Sequence, residues 1–101
     1  MVVISKSILK AFIHQHPDAE NAINDWYEKT KKSDWKHFSE IKTTFNTTDS
    51  VGNDRYVFDI KGNHYRLIAL ILFSVRTVFI LFVGTHSEYN QVNASTIEFK
   101  N

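Results

Sequence analysis

Cysteine is absent from this sequence of 101 residues, which excludes disulfides and thiolate metal sites. A dominant charge sign is lacking too. Twelve Lys and Arg stand against eleven Asp and Glu, a formal +1, so global charge announces no nucleic-acid partner. The opening MVVISKSILK has no continuous apolar stretch of the kind a signal peptide carries. Neither a repeat nor a low-complexity segment is visible. The greasiest run, LIALILFSVRTVFILFVG (Leu67 to Gly84), is interrupted by Ser74, Arg76 and Thr77. A membrane span needs about 20 apolar residues, and a central arginine costs about 2.5–3.5 kcal/mol there. These absences point to one cytoplasmic domain over residues 1–101, with no membrane partner.

What is present has an order. Met1 to Ile4 is β-branched and predicts a first strand. Ser5 or Ser7 is placed to cap a helix bearing Ile8, Leu9, Phe12 and Ile13. Pro17 suits the first turn of a second helix, where Asp18 and Glu20 meet its positive end and Ala19, Ala22, Ile23, Trp26 and Tyr27 follow helical spacing. KKSDWKHFSEIKTTF predicts a short third helix with Phe38, Ile41 and Phe45 on one side, and NTTDSVGND reads as a polar loop. Trp26, Trp35 and Phe38 are read as core or helix-packing residues.

After Asp54 the period drops to two. RYVFDI and HYRLIALILF read as strands joined at the KGN turn, and the Leu67–Gly84 run divides into two strands of about eight residues meeting at Ser74–Arg76. Their continuous apolarity implies cover on both faces, with the helices as the expected cover. The expected fold is α+β: N-terminal helices packed on a small, three- to four-stranded, mainly antiparallel sheet.

The charges are unevenly spread. Lys29, Lys31, Lys32, Lys36 and Lys42 face only Asp34 and Glu40 in their stretch, while Arg55, Lys61, Arg66 and Arg76 face only Asp59. A local basic patch is compatible with the balanced total. The last long strand ends in VGTHSEYN. There Gly84 is read as freeing the backbone to turn, Thr85 or Ser87 as a cap, and Glu88 as a first-turn acid. That leaves His86 and Tyr89 unexplained, three apart and on one side of a helical turn. His14 and His16 stand near a helix end without a carboxylate in the same pattern, and no metal site is expected.

HPDAENAINDWYEKTKKSDWKHFSEIK, GNDRYVFDIKGNHYRLIALI and VFILFVGTHSEYNQVNAST together resemble the HigB family of toxins, part of the RelE-like group, over nearly the whole chain and in order. The resemblance implies a RelE-like fold and mRNA cleavage, usually on translating ribosomes. It also implies inhibition by a HigA-type antitoxin with a helix-turn-helix domain. Such cleavage removes a proton from a ribose 2′-hydroxyl, stabilises charge on the phosphate and protonates the leaving oxygen. Side chains alone can supply these functions, so neither cofactor nor metal is expected. Arg66, His86, Tyr89 and His64 are the catalytic candidates; Lys61, Asn63 and Arg55 are the RNA-binding candidates. Each has a plainer reading: a solvated edge arginine, a turn-filling histidine, a core tyrosine, a surface histidine, a turn lysine.

Three positions depart from the family pattern. His64 stands where lysine is common, Leu81 where lysine or arginine is frequent, and Asn90 where an acid is common. These departures favour the alternative of a catalytically weak or inactive RNA- or antitoxin-binding module.

Overall fold

A computed structural model describes residues 1–98. The elements run β1 (Val2–Ile4), α1 (Lys6–Gln15), a 3-10 turn (Pro17–Ala19), α2 (Glu20–Lys32) and α3 (Phe38–Thr44). The second half runs β2 (Asp49–Gly52), β3 (Arg55–Ile60), β4 (Tyr65–Leu72), a 3-10 turn (Phe73–Val75), β5 (Thr77–Thr85) and α4 (His86–Tyr89). One sheet forms in the order β1-β5-β4-β3-β2.

The architecture is α+β, but the sheet has five strands and is mixed. β1 pairs parallel with β5, and every other pairing is antiparallel. The extra strand is β2, inside the stretch expected to be a loop. Its DSVG sequence is short and largely exposed, with no alternation of apolar residues to betray it. Asn53 and Asp54 turn it into β3, both with positive φ (53° and 62°), as short hairpin connections often require.

The helices cover one face of the sheet. α1 contributes buried Leu9 and Phe12; α2 contributes Ile23, Trp26 and Thr30, one stripe at helical spacing. Opposite them lie Tyr56, Phe58 and Ile60 of β3, Tyr65, Leu67, Ala69 and Ile71 of β4, and Val78 and Ile80 of β5. Each fully buried large apolar side chain is worth about 1.5–3 kcal/mol. Trp35, in the link before α3, is buried, and its indole donates to Thr44 Oγ1 at 3.1 Å. Phe38 is half-buried against the same core. Ser5 sits at the α1 N-cap position with φ 77°, and no side chain caps that helix.

Strand alternation turns Arg66, Ile68, Leu70 and Leu72 of β4 to the other face. Helices α1 and α2 pack on the opposite face. Residues 93–98 fold back on the Arg66 face: Asn53 Nδ2 donates to the Ser95 carbonyl (2.8 Å), and Arg55 donates twice to the Ile97 carbonyl (3.2 and 2.8 Å). Leu70, Leu72, Phe79 and Leu81 line an apolar cavity of about 330 Å³ on this face, with Arg55 and Glu98 beside it.

Pairing of β4 with β5 shifts register between Ile68 and Ala69. Ala69 opposes Ile80 and Ile68 opposes Phe82, leaving Leu81 as an extra residue in a bulge. No helix among the described residues is long and apolar enough to cross a membrane; the apolar run is two adjacent strands.

Candidate active site

At one end of the sheet the β3–β4 turn meets the end of β5 and the start of α4. The register aligns the groups: Asp59 opposes Arg66 on β4, and Arg66 opposes Gly84 on β5. Arg66 Nη1 lies 2.6 Å from Asp59 Oδ1 and donates to Asn63 Oδ1 at 2.5 Å. The guanidinium carbon also stands 5.8 Å from the centre of the Tyr89 ring. The Arg66 side chain is only 19% exposed and β4 is internal, so it is not a solvated edge arginine.

His86 opens α4. Its Nε2 bonds to the backbone carbonyl of Asn63. A carbonyl only accepts, so Nε2 carries the proton, and in the neutral ring Nδ1 keeps a lone pair. Asn63 therefore holds the guanidinium with its side chain and the imidazole with its backbone. His64, exposed on the same turn, donates from Nδ1 to the Lys61 carbonyl at 3.0 Å.

Why α4 starts here is local. Thr85 forms a capping box: its hydroxyl accepts from Glu88 N (3.2 Å), and Glu88 Oε1 accepts from Thr85 N (2.8 Å). Of the two expected caps, Thr85 serves. Gly84 has a different role from the expected turn. A Cβ there would stand 2.5 Å from the tip of Phe82 and 3.2 Å from Glu88 Cβ, so what Gly84 supplies is space.

Lys61 has φ 54°, a left-handed conformation unusual for a side-chain-bearing residue. Its Nζ pairs with Asp18 Oδ2 at 2.9 Å. The Tyr65 hydroxyl donates to both Asp18 oxygens, at 2.9 and 2.8 Å. The Lys61 hydrogen bond, then that of Tyr65, holds the Asp18 carboxyl below its ordinary value, and Asp18 in turn raises the Tyr65 phenol.

The structure thus brings together Arg66, Asn63, His86 and Tyr89, with His64 and Lys61 on the adjoining turn. Arg55 does not join them. It lies at the far end of β3, opposite Leu70, its guanidinium bound to the Ile97 and Asn53 carbonyls. Leu81 belongs to the apolar cavity and Asn90 follows α4. The lysines of α2 are remote as well. The α2 end lies by Arg76, which pairs with Asp34 at 2.6 Å, the length of β4 from Arg66, roughly 25 Å. Lys29 and Lys36 there are paired with Asp25 and Asp34. His16 stacks on Phe12 rather than joining a ligand set, and no group of metal-ligating side chains occurs among the described residues.

Two site residues escaped the reading of the sequence as site residues. Asp59 was legible in principle: counting back from the KGN turn puts it opposite Arg66. Asp18 lies 43 residues before Lys61 and left no signal.

Known proteins resemble this chain over most of its length. The chain is 30% identical over 94 residues to the "mRNA interferase HigB" of Escherichia coli O6:H1, covering 91% of each. It is 26% identical over 92 residues to the "mRNA interferase toxin HigB" of Escherichia coli K12, covering 89% of this chain and 88% of that one. The same figures hold for the "mRNA interferase HigB" of Shigella flexneri. The profile of the HigB toxins, described as the RelE-like toxic component of a toxin-antitoxin system, matches residues 19–92. With most of its length matched, the chain belongs to the HigB toxin family.

Proposed function

We propose that this protein is an mRNA endoribonuclease, the toxin of a type II toxin–antitoxin pair, working in the cytoplasm on messages carried by the ribosome. Its sheet and helices fit the RelE-like plan, and its antitoxin partner is of the HigA helix-turn-helix type. The observation that carries the reading is the junction at Asn63, which bonds a guanidinium through its side chain and an imidazole through its backbone.

The chemistry follows from that pair. Arg66 binds the scissile phosphate and stabilises the charge that develops on it. The 2′-oxygen attacks phosphorus as its proton departs, the P–O5′ bond breaks, and the 5′-oxygen takes up a proton. This leaves a 2′,3′-cyclic phosphate and a 5′-hydroxyl. His86 exchanges one of these protons through Nδ1, while Nε2 stays on the Asn63 carbonyl. Tyr89 offers a ring for a base to stack on, and His64 a second proton carrier. No step calls for a metal.

A second reading has its own support. Both cations of the site are already paired, Arg66 with Asp59 and Lys61 with Asp18. Neutralised cations suit a module that binds RNA or the antitoxin and cleaves weakly or not at all.

Induction of the protein alone in a bacterium separates the two. The endoribonuclease reading expects growth arrest and messages shortened at discrete sites. On programmed ribosomes, cleavage is expected to survive chelation once the magnesium needed by the ribosome is restored. Normal growth with intact message ends favours the binding module, and a requirement for added zinc or manganese rules out the side-chain mechanism.

A further inference from the structure

We propose that Asp18, in the helical layer, is a positioning residue for Arg66 and His86, acting through the β3–β4 turn. The proposal deepens the endoribonuclease reading and rests on it for the kinetic part of its test. Asn63 hydrogen-bonds both Arg66 and His86. It sits at the middle of a turn whose backbone is unusual. Lys61 and Gly62 both have positive φ, 54° and 64°, and only the second is a glycine. Such a turn keeps one shape when neighbours over-determine it.

Asp18 supplies that constraint from outside the hairpin. Its carboxylate grips Lys61 Nζ at 2.9 Å and accepts the Tyr65 hydroxyl on both oxygens. Lys61 and Tyr65 lie two residues before and two residues after Asn63. One carboxylate thus brackets the residue that sets the guanidinium and the imidazole.

The plainer role for Asp18 is to favour the positive end of a helical turn, since it stands at the second position of the Pro17–Ala19 segment. That role needs no partner on the sheet. Here the carboxylate reaches across to β4 and the turn, and its lowered pKa has Lys61 and Tyr65 as its two largest causes. Apart from the bonds of Asn63 to Arg66 and His86, the turn is tied internally: the His64 amide and Nδ1 both donate to the Lys61 carbonyl. They close the loop on itself but do not fix its tilt against the helices.

The test uses the full-length protein on programmed ribosomes, with histidine NMR alongside. Asp18→Ala is expected to lower kcat about 10- to 100-fold, as loss of an orienting contact does, with KM within about twofold. Asp18→Glu is expected to restore most of the rate. Combining Asp18→Ala with Tyr65→Phe is expected to cost little more than Asp18→Ala, because both cut the same link. In Asp18→Ala the His86 ring signals are expected to shift or broaden while the fold stays cooperative. An unchanged kcat overturns the proposal. So does a lower KM at constant kcat, which marks Asp18 as a charge that only repels RNA. Should the wild-type protein not cleave, the endoribonuclease reading fails, and the His86 signals still decide: altered signals in Asp18→Ala support the positioning role, and unaltered ones overturn it.

Discussion

Arg66 and Asp59 face each other across β4 and β3, with Nη1 and Oδ1 2.6 Å apart and both side chains at least three-quarters covered. An arginine meant for phosphate is therefore balanced by a carboxylate before any RNA arrives. Asp59→Asn removes that charge and keeps the shape. RNA affinity at low salt is expected to rise roughly two- to fivefold, the effect of about 0.5–1 kcal/mol, and the gain to shrink as salt screens it. Arg66→Ala leaves a covered carboxylate without its partner. It is expected to abolish cleavage and to cost about 1–2 kcal/mol, between the values for exposed and buried pairs. Adding Asp59→Asn to Arg66→Ala is expected to return stability but not cleavage. Denaturant melts and binding titrations check both arms, and an unchanged affinity in Asp59→Asn rules out the balancing role.

His86 exchanges protons from Nδ1 while Nε2 is tied to Asn63. General acid–base help is worth about 10²–10⁴-fold, so His86→Ala is expected to cut the single-turnover rate by that range. His86→Gln is the sharper variant. Its amide can still donate to the Asn63 carbonyl but cannot pass a proton at neutral pH, so it is expected to match His86→Ala in rate and the wild type in stability. Near-normal cleavage by His86→Gln leaves His86 a positioning role and moves the proton transfer to Tyr89 or His64.

Gly84 is enclosed by Phe82 and Glu88. In Gly84→Ala the Phe82 ring must swing aside and Glu88 must retreat, opening the capping box at Thr85. Loss of a cap costs about 1 kcal/mol. Because α4 carries His86 and Tyr89, the cleavage rate is expected to fall much further than that destabilisation explains. A variant that loses about 1 kcal/mol yet cleaves normally shows α4 to be indifferent to this packing.

Acid stability follows from two depressed carboxyls. Asp18 is held below its ordinary 3.8 by Lys61 first and Tyr65 second; Asp34 is lowered by its hydrogen bond to Lys36 and by the Arg76 charge. A lowered folded-state pKa stabilises the fold above the ordinary value, and the contribution drains away as pH falls through the folded value. Tyr65 is raised above 10.0, chiefly by its bond to Asp18, so that contact is present below 10.0 and is lost as pH climbs through the raised value. Asp18→Asn is expected to flatten both limbs of a plot of Tm against pH. A change on the alkaline limb alone contradicts the role given to the carboxylate charge.

The sequence announced the elements whose pattern is strong. Alternation in RYVFDI and the apolar run mark β3, β4 and β5, and the Ala19–Ile23–Trp26 spacing marks α2. β2 stayed hidden because an exposed edge strand needs no apolar alternation. The direction of β1 was invisible because pairing partners 75 residues apart leave no local trace. In the site, His86 and Tyr89 stood out because the cap explained their neighbours and not them. Arg55 looked equivalent to Arg66 by type, yet its partner is a carbonyl at the far end of the chain. Asp18 shows the general limit, since a contact made by folding has no spacing to read.

The bulge at Leu81 has a consequence for how this strand tolerates change in length. On either side of it the ladder is already in step: Ile80 opposes Ala69, Phe82 opposes Ile68, and Gly84 opposes Arg66. Deleting Leu81 alone closes the bulge and leaves each of those partners where it was. Deleting or inserting a residue between Phe82 and Thr85 instead turns every following side chain to the opposite face and carries Gly84 away from Arg66. Within β5, position 81 is thus the place where the gene can lose a codon without rewriting the site, and the four codons that follow are locked in count as well as in kind.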